Sequence, residues 1–244
     1  MAIEAAVAQE KLELLRALNT CQVADAIETF NIRLRNEGFM DSSVRCLLPN
    51  LPSTLGYAVT ARIRTSAPPM SGRAYPDRTD WWNFLLTIPA PRVVVLEDLD
   101  KSPGLGSCAG EVHAHIFKAL GCAGLITNGA VRDLQAAENL GFGLFAGNPA
   151  VSRAYYHMLE FGVPVEVGKL KVRPGDLLHG DRHGVIDIPL SLAEDIPAAA
   201  AKIAALERRV LEVADSGKPS LEELRQAVHQ SLPENRQHGK FLES

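Results

Sequence analysis

Residues 93–128 read VVVLEDLDKSPGLGSCAGEVHAHIFKALGCAGLITN, and this stretch decides the fold. Residues 93–97 are a candidate strand whose first four residues are apolar, three of them β-branched, without alternation, which is typical of a strand that is covered on both faces of a sheet. Residues 111–120 have helical spacing and stop at Gly121, a common residue just beyond a helix C-terminus. Residues 123–128 predict a second strand. Strand, helix and strand within about 35 residues form a βαβ unit, so we expect the two strands to be parallel.

The rest of the chain continues this mixed pattern. Residues 5–18 predict a helix, and a second helix is expected to begin with Thr20 as its N-cap. Residues 56–65 predict a strand with alternating apolar and polar residues. The chain is expected to be helical from Ser191 onward, with a capping box at residues 220–223. Short strands are also predicted at residues 144–146, 163–167 and 185–188.

Length and composition restrict the class of protein. The chain has 244 residues, of which 46% are hydrophobic, and a formal net charge of −4. We predict a single α/β domain over residues 1–244, with residues 191–244 as a C-terminal helical arm. The small negative charge argues against a nucleic-acid-binding protein, which needs an excess of Lys and Arg. The four cysteines have no C-x-x-C spacing, which argues against a disulfide scaffold.

The sequence shows no signal for export or for membrane insertion. The N-terminal region mixes charged with apolar residues, whereas a secretory signal needs an uninterrupted apolar core. No run of about 18 apolar residues occurs, which is the length that a membrane-spanning helix needs. We therefore expect a cytoplasmic protein with reduced cysteines.

The loop and helix start at residues 104–112 form the first candidate site. Gly104, Gly106 and Gly110 follow a buried strand and lead into a helix, whose N-terminal N–H groups and dipole favour an anion. The spacing G-x-G-x-x-x-G matches neither the dinucleotide fingerprint nor the P-loop. The segment is therefore either an anion site or an ordinary turn from strand to helix.

Arg132 and Asp133 follow the second strand, at the end where open α/β sheets bind ligands. An Arg can bind a carboxylate or enolate oxygen through two hydrogen bonds, and an Asp can hold a hard divalent cation. The alternative is that Asp133 caps the next helix and that Arg132 is solvated. Glu111 is expected at the same sheet edge, where it either shares a metal with Asp133 or interacts with the helix dipole.

Histidines are candidates for metal ligation or for a place in the site. His179, Asp181 and His183 have period-two spacing, which in a strand would place a metal-ligand set on one face. Residues 181–184 also fit a tight turn, which would break this alternation. His113 lies in the predicted helix and either faces the site or is an ordinary helix residue.

Taken together, these motifs resemble a known family. Gly110-Glu111, then twenty residues, then Arg132-Asp133, with GCAGLITNGAVRD at residues 121–133, resembles the 4-hydroxy-4-methyl-2-oxoglutarate aldolase family. That family also includes the proteins named regulator of ribonuclease E activity. Further blocks that match are TCQVADA at 20–26, LGYAVT at 55–60, VRPGD at 172–176 and GDRHGV at 180–185.

The resemblance implies an α/β/α domain of the swivelling β/β/α type that assembles as a homotrimer or as paired trimers, with sites at subunit boundaries. It implies a divalent metal, usually Mg²⁺ or Mn²⁺. It also implies cleavage of 4-hydroxy-4-methyl-2-oxoglutarate or a related 2-oxo acid to pyruvate, with oxaloacetate decarboxylation as a second activity. The expected partner is therefore a small 2-oxo acid, with neither a nucleic acid nor a membrane.

The resemblance also assigns roles to single residues. Asp133 and Glu111 would hold the metal, Glu111 directly or through water, and Arg132 would neutralise charge on the C2 oxygen of the substrate. Characterised aldolases of the family usually have Asp where this chain has Glu111, which leaves the metal ligands and the substrate preference open. The substrate carboxylate would be bound by backbone N–H groups at the helix start, from Gly110, Glu111, Val112 and His113.

Two other functions remain open at this point. One is a non-catalytic protein that binds a ribonuclease, and the other is a different lyase or hydrolase on the same metal site. Residues 66–80 are expected to contact the distal end of the substrate. They match no pattern that identifies it, so the natural substrate stays open.

Overall fold

The computed structural model of the protein describes residues 6–70 and 78–231. Seven α-helices and thirteen strands are present in these residues. The helices are α1 (Gln9–Ala17), α2 (Thr20–Glu28), α3 (Arg78–Thr87), α4 (Glu111–Ala119), α5 (Leu134–Leu140), α6 (Ile196–Ala214) and α7 (Leu221–Ser231). The strands are β1 (Arg45–Cys46), β2 (Thr54–Arg64), β3 (Arg92–Asp98), β4 (Ser107–Ala109), β5 (Cys122–Thr127), β6 (Ala130–Val131), β7 (Gly143–Ala146), β8 (Asn148–Pro149), β9 (His157–Phe161), β10 (Val165–Val167), β11 (Leu170–Val172), β12 (Leu177–Asp181) and β13 (Gly184–Ile188).

The predicted βαβ unit is confirmed as β3, α4 and β5, with the two strands parallel. It lies inside a mixed eight-stranded sheet of order β1-β7-β5-β3-β2-β12-β13, in which β9 also pairs with β2. The strands β2, β3, β5 and β7 are parallel to one another. Their carboxyl ends therefore meet at one edge of the sheet, where ligands bind in open α/β folds.

The helices cover one face of this sheet and a small hairpin covers the other. Val23, Leu85 and Phe117, from three different helices, belong to one buried cluster with the sheet. Val167 of the β10–β11 hairpin packs in a second cluster with Val93 on the opposite face. The order of hairpin, sheet and helices agrees with the predicted α/β fold of the swivelling β/β/α type.

Two local predictions need correction. The strand predicted at residues 56–65 is present as β2, but its residues 54–61 are all buried instead of alternating, because both faces of the sheet are covered. The second helix is capped by Asn19 and not by Thr20. The Asn19 side chain accepts the N–H of Gln22 at 2.8 Å, and the Gln22 side chain accepts the N–H of Asn19 at 3.0 Å.

The C-terminal arm begins on the body of the protein and ends as a helical hairpin. Ile196 and Ala200 are the buried residues of α6, which packs against α2, and α7 packs against α6. The predicted capping box is confirmed, since the N–H of Glu223 donates to Ser220 Oγ at 3.2 Å and the N–H of Ser220 donates to Glu223 Oε2 at 2.7 Å. Residues 232–244 of the predicted arm lie outside the described residues. The described helices include none that is long and apolar enough to cross a membrane.

Candidate active site

A small second sheet brings the start of α4 next to the end of β5. The strands β4 and β6 pair in parallel, and the N–H of Arg132 donates to Ala109 O at 3.0 Å. Gly110, which follows Ala109, therefore lies beside Arg132. The predicted convergence of the two segments is present in the structure.

Asp133 stands at the N-cap position of α5, but its side chain does not cap that helix. Its backbone is left-handed, with φ of 57°, and its side chain makes no capping bond to α5. Instead, its Oδ2 accepts the N–H of Glu111, the first residue of α4, at 3.0 Å. The capping alternative for Asp133 is thus excluded. A non-glycine residue in the left-handed region is uncommon, and such strain concentrates at functional sites.

Arg132 carries an unsatisfied polar group. Its Nε is buried and has no hydrogen-bond partner in the described part of the chain. The Arg132 Nε lies 3.5 Å from Asp133 Oδ2, and the side chains of Arg132 and Asp133 are 34% and 39% exposed. A buried N–H without an acceptor is costly, so an anionic ligand here would satisfy a group that the protein leaves unsatisfied.

Position 110 requires glycine because there is no room for a Cβ atom, and not because of its backbone conformation. Its φ is −146°, which is extended backbone that any residue adopts. A Cβ at this position, however, would collide with Asp133 Oδ2 and come within 3.0 Å of Arg132 Nε. Glycine also provides no side-chain cap, so residue 110 does not cover the N–H groups in the first turn of α4.

The first turn of α4 presents different side chains on its two sides. Glu111 and Val112 are exposed, Val112 by 69%. His113 is half-buried, with its ring centroid 6.1 Å from that of Phe117 and 6.0 Å from that of Tyr156. His113 therefore packs between aromatic rings, which its place in the helix pattern did not reveal.

The second metal candidate is a structural cluster. His179 is fully buried, with Nδ1 3.2 Å from Thr20 Oγ1 and Nε2 3.1 Å from Leu18 O, and burial lowers its pKa. Asp181 accepts the N–H groups of Thr20 at 2.9 Å and of His183 at 2.8 Å. Burial alone would raise the pKa of Asp181, but these hydrogen bonds lower it overall. Since the described residues contain no group of three His, Cys, Asp or Glu side chains that could hold a metal, the hypothesis of a metal site here is wrong.

The residues predicted to hold a metal are Asp133 and Glu111. Asp133 Oδ1 makes no hydrogen bond within the described residues, and Glu111 is exposed beside it at the start of α4. Two carboxylates with water in the remaining positions suit a hard cation such as Mg²⁺ or Mn²⁺. A structural zinc site would need four mostly nitrogen or sulfur ligands instead. The residues present therefore fit the cation that the family resemblance implies.

Sequence reasoning missed Asp98, which ends β3, and Asn128, which directly follows the neighbouring strand β5. Asn128 Oδ1 accepts the N–H of Asp98 at 2.7 Å, and Asn128 Nδ2 donates to Asp98 O at 3.0 Å. The buried Asp98 carboxylate accepts the N–H of Gly104 at 3.1 Å, and burial raises its pKa. These contacts shape the loop that leads into β4 and so position Gly110. The sequence feature that could have indicated Asp98 and Asn128 is that each is a polar residue at the end of a buried strand.

An open cleft of about 880 Å³ lies nearby, at the ends of β3 and β5. Arg132 and Asp133 do not line it. Its Arg62 is paired with Glu97 at 2.9 Å, and other charged groups of the lining are paired as well. We place the candidate site at Arg132, because its buried Nε has no hydrogen-bond partner in the described residues, whereas Arg62, Asp41 and Asp100 of the cleft are engaged by neighbouring groups.

Two buried thiols are unsuited to nucleophilic chemistry. Cys108 lies in β4, two residues before Gly110, and burial raises its pKa to about 12. Burial likewise raises the pKa of Cys122 to about 12. Both thiols therefore stay protonated at neutral pH, and only the thiolate is a good nucleophile.

The fold and these contacts define an α/β protein in which a helix N-terminus, a carboxylate and a guanidinium converge at one sheet edge. A family model described as RraA-like, Aldolase/RraA, matches residues 20–186. The chain therefore belongs to the RraA-like family.

Individual relatives agree with this placement. A Halalkalibacterium halodurans protein proposed to be a 4-hydroxy-4-methyl-2-oxoglutarate aldolase is 34% identical over 95 residues, which cover 38% of this chain and 45% of that protein. The match thus spans less than half the length of that relative.

Two solved structures share the fold. An uncharacterized protein from Pseudomonas syringae pv. tomato has a TM-score of 0.71 at 23% identity, covering 91% of this chain and 95% of that chain. Streptomyces coelicolor RraAS2, described as an unusual member of the RNase ES inhibitor RraA protein family, has a TM-score of 0.65 at 21% identity, covering 84% of this chain and 96% of that chain. At these identities the likeness establishes the fold alone.

Proposed function

We propose that this protein is a divalent-metal-dependent lyase that cleaves 4-hydroxy-4-methyl-2-oxoglutarate or a related 2-oxo acid to pyruvate, and that it decarboxylates oxaloacetate. The observation that carries the proposal is the buried Arg132 Nε, which has no hydrogen-bond partner in the described residues and lies beside Asp133 and the start of α4. Membership of the Aldolase/RraA family and the partial match to a proposed aldolase support the same reaction.

The site offers the groups that this chemistry needs. Both reactions break a C3–C4 bond and leave the enolate of pyruvate, so negative charge develops on the C2 oxygen. Bound Mg²⁺ or Mn²⁺ would supply Lewis acidity toward that oxygen. The Arg132 guanidinium would donate hydrogen bonds to it and stabilise the developing charge. The N–H groups of Val112 and His113, at the N-terminus of α4, would bind the C1 carboxylate.

The two carboxylate oxygens of Asp133 would have different roles. Its Oδ2 is used inside the protein, because it accepts the N–H of Glu111 and lies 3.5 Å from Arg132 Nε. Its Oδ1 remains for the cation, and Glu111 would complete the carboxylate pair directly or through water. Asp133 would therefore orient Arg132 and hold the metal at the same time.

We also propose that the chain assembles as a homotrimer or as paired trimers around this site. Four large apolar side chains are exposed on segments that flank it, which is typical of a subunit contact. They are Leu105 (63%), Val112 (69%), Val151 (96%) and Tyr155 (55%). Light scattering should give the mass of a trimer or a hexamer, and a monomer mass would contradict this assembly.

The proposed reaction is tested by pyruvate release from 4-hydroxy-4-methyl-2-oxoglutarate and from oxaloacetate. Turnover should require Mg²⁺ or Mn²⁺ and stop when EDTA is added. Arg132→Ala should lower kcat by roughly 100- to 1000-fold, as expected for the loss of a group that stabilises an oxyanion. Failure of the folded, metal-supplied protein to release pyruvate from either substrate would overturn the proposal. It would favour another lyase substrate or a regulator that binds a ribonuclease, which a pull-down would test.

A further inference from the structure

The buried carboxylate of Asp98 holds the loop that leads into β4. Asp98 is only 2% exposed. Its Oδ1 accepts the N–H of Asp100 at 3.1 Å, and its Oδ2 accepts the N–H of Gly104 at 3.1 Å. Thr65 Oγ1, which lies 3.5 Å from the same Oδ2, accepts the N–H of Gly106 at 3.2 Å. The carboxylate therefore fixes the backbone of this loop just before β4 begins.

The same residue also holds the beginning of β6. The side chain of Asn128 binds the Asp98 backbone at both its N–H and its carbonyl, at 2.7 and 3.0 Å. Gly129 comes next and packs directly on the Asp98 side chain, since a Cβ on Gly129 would lie 3.1 Å from Asp98 Oδ2 and 3.2 Å from Asp98 Cβ. Gly129 immediately precedes β6, so Asp98 contacts the origin of that strand as well.

Two segments thus run side by side from Asp98 to the candidate site. The strands β4 and β6 pair in parallel. Gly110 and the N-terminus of α4 directly follow β4, and Arg132 directly follows β6. The N-terminus of α4 and the Arg132 side chain are the two halves of the site. Their relative position is therefore set by the contacts around Asp98, which hold both segments a few residues before they reach the site.

A buried carboxylate is a destabilising choice for a purely structural contact. Asp98 forms no ion pair within the part of the chain that the structure describes, and burial raises its pKa although the N–H bonds from Gly104 and Asp100 lower it. Ionisable residues with a pKa raised by burial concentrate at functional sites. Only a carboxylate offers two acceptor oxygens here, because an asparagine would present its NH₂ group to one of the two backbone N–H groups.

We propose that Asp98 is a positioning residue for the lyase reaction, which keeps the N-terminus of α4 and the Arg132 guanidinium at the spacing that one substrate molecule requires. The catalytic part of this inference rests on the proposed function. Asp98 would act through the two halves of the site and not on the substrate. A misplacement of such groups by about 1 Å is enough to lower a rate by about 100-fold.

Asp98→Asn tests the inference by kinetics in two backgrounds. In the wild-type protein it should lower kcat for pyruvate release by about 10- to 100-fold. In the Arg132→Ala protein it should lower kcat by no more than about threefold, because the guanidinium that it positions is already absent. Asp176→Asn is the matched control, since burial also raises the pKa of Asp176 and its carboxylate accepts the N–H of Arg173 at 2.7 Å. The control should leave kcat unchanged in both backgrounds.

Amide hydrogen exchange gives a second readout that does not need turnover. The N–H of Glu111 and the N–H of Arg132 each donate a hydrogen bond between the two segments, at 3.0 Å, so their exchange rates report how well the segments are aligned. Asp98→Asn should speed exchange at both groups by about tenfold or more. Asp176→Asn should leave both rates unchanged.

Gly129→Ala provides a second variant in case Asp98→Asn fails to fold. Its Cβ would press on the Asp98 side chain, so kcat should fall by about three- to tenfold, and again much less in the Arg132→Ala protein. An unchanged kcat in folded Asp98→Asn protein, or equal losses of kcat in the two backgrounds, would overturn the inference. If the wild-type protein releases no pyruvate, the proposed function fails, and exchange at Glu111 and Arg132 then decides whether Asp98 aligns the two halves.

Discussion

Two aspartates of this chain make the same local contact in different surroundings. Asp133 accepts the N–H of Glu111, the first residue of α4, at 3.0 Å. Asp181 accepts the N–H of Thr20, the first residue of α2, at 2.9 Å. Each carboxylate thus binds the N-terminus of a helix that lies far away in the sequence, and each is stabilised there by the helix dipole.

The two aspartates differ in whether the neighbouring polar groups are satisfied. The side chain of Asp181 is only 10% exposed, its other oxygen accepts the N–H of His183, and Asn19 caps the same helix. The side chain of Asp133 is 39% exposed, its Oδ1 is unbonded within the described residues, and the adjacent Arg132 Nε has no acceptor there. The contact around Asp181 is therefore structural, whereas the contact around Asp133 leaves polar groups for a ligand.

Replacing each aspartate by asparagine is the strongest test of this contrast. Asp133→Asn should lower kcat/KM for pyruvate release by about 1000-fold, because it removes the charge that would hold the cation. Asp181→Asn should leave kcat unchanged and lower the free energy of unfolding by about 1.5–3 kcal/mol, because it weakens two charge-assisted hydrogen bonds. Steady-state kinetics and urea denaturation measure the two effects. A fully active Asp133→Asn variant would remove the contrast.

The glycines of the two regions provide the next test. Gly110→Ala should lower activity by about 100-fold. The new Cβ would collide with Asp133 Oδ2 and crowd Arg132, so both side chains would move out of the positions that the reaction requires. Gly184, beside the Asp181 turn, has open space around it but a φ of 128°. Gly184→Ala should therefore keep activity and lower the free energy of unfolding by about 1 kcal/mol. Equal activity loss in both variants would show that neither glycine is specific to the site.

The buried His179 should make the structural region sensitive to pH. Its folded pKa is below the ordinary value of 6.5, chiefly because of burial, so below pH 6.5 the unfolded chain binds a proton that the folded chain does not. The free energy of unfolding should therefore be largest above pH 6.5 and fall as the pH falls through this window.

Calorimetry at pH 7 and pH 5.5 should show that His179→Gln weakens this pH dependence. His229→Gln, on the exposed side of α7, should keep it and serves as the control. An unchanged slope in His179→Gln would assign the pH dependence to other groups.

The smallest expected effect comes from the N-cap of α2. Asn19→Ala removes the side chain that accepts the N–H of Gln22, so the free energy of unfolding should fall by about 1 kcal/mol. Pyruvate release should not change, because α2 belongs to the structural cluster around Asp181 and not to the candidate site. A loss of activity in thermally stable Asn19→Ala protein would connect this region to the site.

Much of the fold could be predicted because its signals are local. The β-branched run at residues 93–97 and the helix that ends before Gly121 specify a βαβ unit from neighbouring residues alone. The alternation predicted in β2 was wrong, because burial of its second face depends on a hairpin formed by residues 165–172. The choice of Asn19 over Thr20 as N-cap was also out of reach, because both residues are good caps and the backbone decides between them.

The candidate site was predictable only in part. The topology of a βαβ unit indicated that Glu111 and Asp133 would be close, and the structure brings their segments together. The pattern could not show that Asp133 would bind α4 instead of α5, because that depends on the left-handed backbone of one residue. The contact of His113 with Tyr156 likewise depends on a loop whose position is set by packing against Gly106.

By itself, the sequence determined the class of fold, the sheet edge at which polar residues collect and the identity of those residues. These properties follow from the periodicity of apolar side chains and from the short reach of turns and helix ends. Only the tertiary structure decided which polar groups are satisfied. Hydrogen bonds such as those of Asp181 and Asp133 join segments that are distant in the chain, and their formation depends on strand register and close packing to within a fraction of an ångström.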